Sequence, residues 1–242
     1  MVNKTKKKWY GIRTIDGDRV NIYTENWQDC EAKIKGHNCE YKGFTTFEDC
    51  INYLSDSKEL KEFNENEKIE GLIAYTDGSW DKSGLFSWCS LFIKDDVIID
   101  ILYGAEVDTC TSRQIQGELM ASTKAMEKAI SMKYKKMTIV HDYLGVAYFS
   151  SSLREWKGKT LIAREYAKTT ERLEKLIEVD FRHVKGHSEN IYNSLVDSGC
   201  KTALGIKLSD DINTSVLIVK NEAVKQKLII LGVEEDNIKI AN

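Results

Sequence analysis

The chain has 242 residues, 42% hydrophobic and 30% charged, with a formal net charge of −3. This is the make-up of an ordinary soluble globular protein of one or two domains, and no apolar run approaches the roughly 18 residues that a membrane span needs. The basic start, Met1-Val2-Asn3-Lys4-Thr5-Lys6-Lys7-Lys8, is followed by no apolar signal core, so a cytoplasmic protein with no membrane partner is expected.

Residues 8–54 read as a compact module. Lys8–Arg13 is a short strand, Asp16-Gly17-Asp18 a turn and Arg19–Tyr23 a returning strand. Asn26 is placed to cap a helix through about Ile34, with Gly36 as its stop. Tyr41–Phe44 is extended, and Thr46 precedes a second helix, Phe47–Leu54. Residues 1–54 carry nine Lys/Arg against eight Asp/Glu, with Lys4, Lys6, Lys7, Lys8 and Arg13 as the candidate phosphate-binding patch. Residues 55–70 carry three against six and few apolar groups, which predicts a linker.

Residues 71–205 have a different pattern. Gly71–Asp77, Phe86–Ile93 and Val97–Tyr103 read as strands, the last two joined as a hairpin through Asp95-Asp96. Ile115, Leu119, Met126 and Ile130 mark a helix by their spacing. Lys136–His141 is a strand. A helical region follows from about Leu144, breaks near Lys157-Gly158-Lys159 and resumes over Leu161–Leu176. Glu178–His183 is a strand, and a helix runs from about Glu189 to Leu204 before Gly205. This order predicts an α/β domain: an antiparallel start, then parallel strands reached through helices. Residues 206–242 are an extension, with a strand over Val216–Val219, a helix over Glu222–Leu231 and a strand over Ile238–Ile240. No function attaches to it.

Four acidic residues stand apart from the surface charge. Asp77 and Asp142 end apolar strands, while Glu118 and Asp197 border the apolar stripes of helices. Taken singly each has an ordinary alternative, since Asp-Gly after a strand is often a turn and a helical Glu is usually solvated. Together, in this topology, they can converge on one edge of the sheet, where ligand sites of open α/β sheets gather. Crowded carboxylates repel and call for a cation. Oxygen ligands with no neighbouring Cys or His select Mg²⁺ or Mn²⁺, and none of the six cysteines forms a Cys-x-x-Cys pair. Two such ions about 4 Å apart can clamp the attacking and leaving oxygens of a phosphodiester.

With those residues in place, positions 71–205 resemble the catalytic domain of type 1 ribonuclease H. The matching pieces are Tyr75-Thr76-Asp77-Gly78-Ser79, Gly117-Glu118-Leu119-Met120-Ala121, Val140-His141-Asp142-Tyr143, and Val184-Lys185-Gly186-His187-Ser188 with Asn193–Asp197. The resemblance implies a mixed five-stranded sheet flanked by helices. It also implies Asp77, Glu118, Asp142 and Asp197 as ligands of two Mg²⁺ ions, with Mn²⁺ as the substitute. His187 is the implied mobile histidine that assists proton transfer or product release; its ordinary alternative is a surface loop. Gly78 and Ser79 would line the substrate. Arg113 and Gln114 stand where the family often has Asn residues that touch the nucleic-acid backbone, and the basic protrusion of some members is reduced to Arg154–Lys159. The implied activity is cleavage of the RNA strand of an RNA/DNA hybrid, leaving 5′-phosphate and 3′-hydroxyl ends.

Residues 8–54 resemble the small α+β hybrid-binding domain found before some of these enzymes and shared with a caulimovirus inclusion-body protein. The resemblance lies in Trp9-Tyr10-Gly11-Ile12, Asn26-Trp27-Gln28-Asp29-Cys30 and Tyr41-Lys42-Gly43-Phe44. It implies that Trp27, Tyr41 and Lys42 meet the DNA strand, with Gly43 standing where a second lysine is common. Double-stranded RNA is a second partner that such a module admits. Trp27 and Tyr41 have a core role as their alternative. A monomer is expected, and the other reading kept open is a non-catalytic hybrid- or duplex-RNA-binding protein on the same fold.

Overall fold

The computed structural model describes residues 9–47, 50, 53–54, 60–64, 67, 69–108, 113–153, 160–184, 190–208, 212 and 215–241. The chain divides into two compact units, Met1–Glu59 and Leu60–Asn242.

The first unit is an antiparallel sheet with a helix. Its strands are β1 (Trp9–Ile15), β2 (Asp18–Thr24) and β3 (Cys39–Phe44), in the order β2-β1-β3. Helix α1 (Trp27–Ile34) starts as its sequence indicates, with the Asn26 side chain accepting from the Asp29 N–H. It buries Cys30 against the sheet's centre, where Ile12 is fully enclosed. Of the predicted helix 47–54, the described residues Phe47, Cys50, Tyr53 and Leu54 are helical. They pack on the other face, where Gly11 leaves room for Tyr53, Leu54 and Cys50.

The second unit is built on one eight-stranded sheet in the order β11-β10-β7-β6-β5-β8-β9-β4. Its centre is the expected five: β7 (Val97–Val107), β6 (Leu85–Lys94), β5 (Leu72–Trp80), β8 (Lys136–His141) and β9 (Glu178–His183). β5, β6 and β7 are antiparallel, while β8 and β9 run parallel to β5. The β6–β7 hairpin closes through Asp95 and Asp96 with φ of 51° and 62°. Two successive positive φ values match the twist of a two-residue hairpin loop, and Asp tolerates them.

Three further strands extend the expected five. β4 (Lys61–Glu62), from within the stretch read as linker, pairs in parallel with Arg182–His183 of β9. β10 (Leu217–Val219) and β11 (Ile238–Ile240), from the extension, add to the opposite edge beside β7. The helix between them, α6 (Glu222–Ile230), buries Val224 and Leu228.

The sheet is covered on both faces. One core joins Leu72, Ala74, Phe92, Met137 and Ile139 to Leu119 and Met126 of α2 (Gln114–Ser131) and Tyr166 of α4 (Leu161–Leu173). The other joins Tyr75, Leu91, Ile101 and Val140 to Leu195 and Val196 of α5 (Ile191–Ala203), and to Leu217, Val219, Val224, Leu228, Leu231, Val233 and Ile238 of the extension. The extension therefore completes a core rather than trailing from one. The helix expected from Leu144 is one short turn, α3 (Gly145–Tyr148). Ser150 ends it: its hydroxyl donates to the Ala147 carbonyl and accepts from the Leu153 N–H, offering the backbone a non-helical alternative.

Candidate active site

Three of the four acids meet. One carboxylate oxygen each from Asp77, Glu118 and Asp142 lies within 4.8 Å of the others. Asp77 comes from central β5, opposite Cys89 of β6. β5 and β8 pair only as far as Tyr75↔Val140, so Asp77 lies past that pairing, and Asp142 stands one residue beyond the end of β8. Two carboxylates are thereby brought to the same sheet end.

Glu118 reaches them because α2 lies directly on β5. A Cβ on Gly78 would overlap the Glu118 N atom and the Gly117 carbonyl carbon, and one on Gly117 would overlap the Ser87 carbonyl oxygen. Only glycine at both positions lets helix and strand backbones approach this closely. Gly78, expected along the substrate, is thus packed under α2, and its N–H donates to Asp77 Oδ1 at 2.8 Å. The neighbouring Ser79 N atom faces Gly117. The sequence reading missed Gly117; the Gly immediately before the Glu was its only signal.

The electrostatics are those of crowded, desolvated carboxylates. Burial first, then the charges of Asp142 and Asp197, push the Asp77 carboxyl up to about 7. Glu118 is 5% exposed, and burial, then Asp77 and Asp142, raise it well above the usual carboxylate range. Glu118 Oε2 is buried with no hydrogen-bond partner. An orphaned, desolvated carboxylate oxygen beside two more carboxylates is costly unless a cation joins it. The donor set therefore fits a hard divalent ion. Burial first, then His183, pull the enclosed His141, the residue before Asp142, down to about 3, which leaves it neutral.

Asp197 stays outside the three-oxygen cluster, although its charge is felt at Asp77. It is half-buried on α5 and ion-paired to Lys201, one turn on, at 2.6 Å. The same helix braces the site, with Cys200 Sγ donating to the Asp77 carbonyl at 3.3 Å. His187 and the reduced basic stretch Arg154–Lys159 lie outside the described residues, as do Lys4, Lys6, Lys7 and Lys8.

Arg113 and Gln114 are exposed at the start of α2. Arg113 takes φ 53°, a strained region for its residue type. It is held by its N–H on Asp108 Oδ2 at 2.9 Å and by its guanidinium 5.1 Å from the Trp80 ring.

In the first unit Trp27 and Tyr41 come together on the α1 side of the sheet. Their ring centroids are 5.8 Å apart, with Tyr10 5.5 Å from Trp27. Trp27 is 38% and Tyr41 43% exposed, so both present ring surface to solvent rather than forming the core. Lys42 points to the opposite face, its Nζ 5.3 Å from the Phe44 ring and 5.5 Å from that of Tyr53. Strand alternation separates it from Tyr41.

Comparison with known proteins places these features in a family. The model of the RNase H family matches residues 69–204, and that of the ribonuclease H1 N-terminal domain matches residues 8–54. No curated protein sequence matches the chain. Among solved structures, RNase H1 of the archaeon Halobacterium salinarum is 17% identical over 55% of this chain and 97% of its own, with a TM-score of 0.47. An N-terminal RNase H domain from Mycobacterium tuberculosis is 13% identical over 55% and 97%, TM-score 0.46. LC11-RNase H1, isolated from compost and solved with an RNA/DNA hybrid, is 15% identical over 55% and 99%, TM-score 0.46. With the family model spanning more than half of the chain and its acidic triad assembled at the sheet end, the chain belongs to the RNase H family and carries that family's N-terminal domain ahead of it.

Proposed function

We propose that the chain is an endoribonuclease that hydrolyses the RNA strand of RNA/DNA hybrids, leaving 5′-phosphate and 3′-hydroxyl ends. The observation that carries this reading is the meeting of Asp77, Glu118 and Asp142 within 4.8 Å, with Glu118 Oε2 buried and unpartnered. Asp77, Glu118, Asp142 and Asp197 would hold two Mg²⁺ ions, or Mn²⁺ in their place. When bound, these ions supply Lewis acidity at the scissile phosphate and lower the pKa of the attacking water. The chain's own residues do the rest. Asp77 and Glu118, fixed on a central strand and a helix that cannot separate, keep the site's geometry pre-set. Lys201 holds Asp197 ready in the metal-free protein. His187 is proposed to carry the proton that the departing 3′ oxygen takes up.

Substrate selection is proposed to be shared between the units. Arg113 and Gln114, exposed beside Glu118, would meet the RNA backbone, whose 2′-hydroxyls tell it from DNA. Trp27 and Tyr41 would stack on the sugars and bases of the deoxy strand. Lys42, on the opposite face, would act as a second, separate phosphate contact.

The test is cleavage of end-labelled RNA/DNA hybrid, duplex DNA and duplex RNA by the full chain with and without Mg²⁺. Hybrid cleavage that requires the ion is expected. Asp142→Asn should abolish turnover yet keep hybrid affinity within about tenfold. Binding without cleavage by the parent would leave the non-catalytic reading, and equal cutting of duplex DNA would refute the substrate assignment.

A further inference from the structure

Asp142 lies one residue past the last ladder pair, His141↔His183, so the sheet's own pairing does not fix its carbonyl. A side chain does. His183 has one ring nitrogen, Nε2, 3.1 Å from the Asp142 backbone oxygen, and the other, Nδ1, 3.1 Å from Glu62 Oε1. The carbonyl can only accept, so Nε2–H donates to it; the carboxylate can only accept as well, so the second contact is a hydrogen bond when Nδ1 also carries its proton. Glu62 belongs to β4, a strand that lies before the residues matched by the RNase H family model.

β4 is anchored at several points. Lys61 and Glu62 pair with Arg182 and His183, and the Phe63 N–H donates to the His183 carbonyl at 2.6 Å. The Phe63 ring packs edge-on against Tyr75, 5.6 Å between centroids, two residues before Asp77 on the same face of β5. Arg182, with its side chain 7% exposed, reaches Glu67 through both terminal nitrogens at 3.2 Å. The Glu62 carboxylate is therefore presented from a pinned strand, not from a mobile linker.

We propose that Glu62 and His183 are positioning residues for Asp142. They orient the backbone from which this ligand projects, so the segment leading into the catalytic unit helps build its metal site. The proposal rests on the reading of Asp142 as a metal ligand. Partners of this kind, which touch a ligand rather than the ion, typically change metal affinity or turnover when removed.

The experiment uses the full chain with Glu62→Ala, Glu62→Gln and His183→Ala. Mn²⁺ binding is followed by calorimetry without nucleic acid, and kcat and KM are measured on the hybrid. Glu62→Ala and His183→Ala should weaken Mn²⁺ binding about tenfold and lower kcat by a similar factor, with KM for the hybrid unchanged. Glu62→Gln should stay close to the parent, because an amide can donate to a bare Nδ1 or accept from Nδ1–H while Nε2–H stays on the Asp142 carbonyl. The Glu62 side chain is 67% exposed, so its loss leaves folding intact. Unchanged Mn²⁺ affinity in Glu62→Ala, or an equal loss in Glu62→Gln, overturns the proposal. If the parent binds Mn²⁺ but cleaves no hybrid, the nuclease reading fails while the comparison of Mn²⁺ affinities still decides the positioning role.

Discussion

Replacing Gly117 with Ala sets two effects of opposite sign against each other. Gly117 is inside helix α2, where Ala is favoured over Gly by about 0.8–1.0 kcal/mol, so propensity alone predicts stabilisation. The added Cβ, however, would overlap the Ser87 carbonyl oxygen and lie 2.9 Å from Gly78 Cα and 3.2 Å from Ser79 N. All three are backbone atoms of β5 and β6, which pair Gly78 with Trp88 and Ser79 with Ser87. None can rotate aside, so the helix must move. Overpacking of this kind costs about 1–3 kcal/mol, and with rigid obstacles the upper half of that range applies. The net effect is destabilisation of roughly 1–2 kcal/mol, or about 2–8 °C in Tm for a unit of this size. Activity should suffer more than stability. Glu118 is the next residue, and a shift on the order of 1 Å at a catalytic group can cost about a hundredfold in rate. Thermal unfolding by circular dichroism and single-turnover cleavage of the hybrid measure the two effects. A Tm equal to or above the parent's, with full cleavage, would refute the claim that the paired glycines seat Glu118.

Three other outcomes follow from the same structure. Burial and neighbouring charge hold the Asp77 carboxyl up near 7 in the metal-free protein, against 3.8 ordinarily, so its stabilising contribution is complete below the ordinary value and is lost as pH rises through about 7. In EDTA, the Tm of Asp77→Asn relative to the parent's should therefore rise as pH climbs from about 4 to about 7 and level off above that; a constant difference would contradict this. Trp27→Ala should weaken hybrid binding roughly ten- to a hundredfold, the stacking contribution of one base, while leaving saturated single-turnover cleavage and the circular dichroism spectrum unchanged; loss of folding would return Trp27 to the core. Ending the chain at Gly205 removes Leu217, Val219, Val224, Leu228, Leu231, Val233 and Ile238 from the core, at about 1.5–3 kcal/mol each. Together that is about 10–20 kcal/mol, as large as the typical net stability of about 5–15 kcal/mol, so the shortened chain should aggregate or unfold, and a soluble product with dispersed amide resonances would show the extension to be dispensable.

What the sequence could disclose was set by element length and by distance along the chain. The long strands around Asp77 and Asp142 and the apolar stripe of α2 carry periodicities that a window of several residues can register, and Asn26 announces its helix through local capping chemistry. The two- and three-residue strands β4, β10 and β11 contain too few residues for any alternation. β4 is also embedded in a charged run whose composition argues for a linker, and its pairing depends on residues more than a hundred positions away. The site divides along the same line. A carboxylate at the end of an apolar strand is visible because its neighbours are. The Glu62–His183–Asp142 connection is invisible because Glu62 and His183, taken locally, are unremarkable surface or strand residues. Gly117 was within view, yet its meaning required knowing that Gly78 faces it, which is a fact about packing and not about either segment. Lys42 shows a different limit: it is adjacent to Tyr41 in the chain, yet the two-residue period of a strand sends the two side chains to different faces. Adjacency in the chain is thus a poor guide to a common surface on a strand, whereas the helix-borne Glu118 and the strand-borne Asp77, 41 positions apart, are joined because two glycines remove the side chains that would have kept them apart.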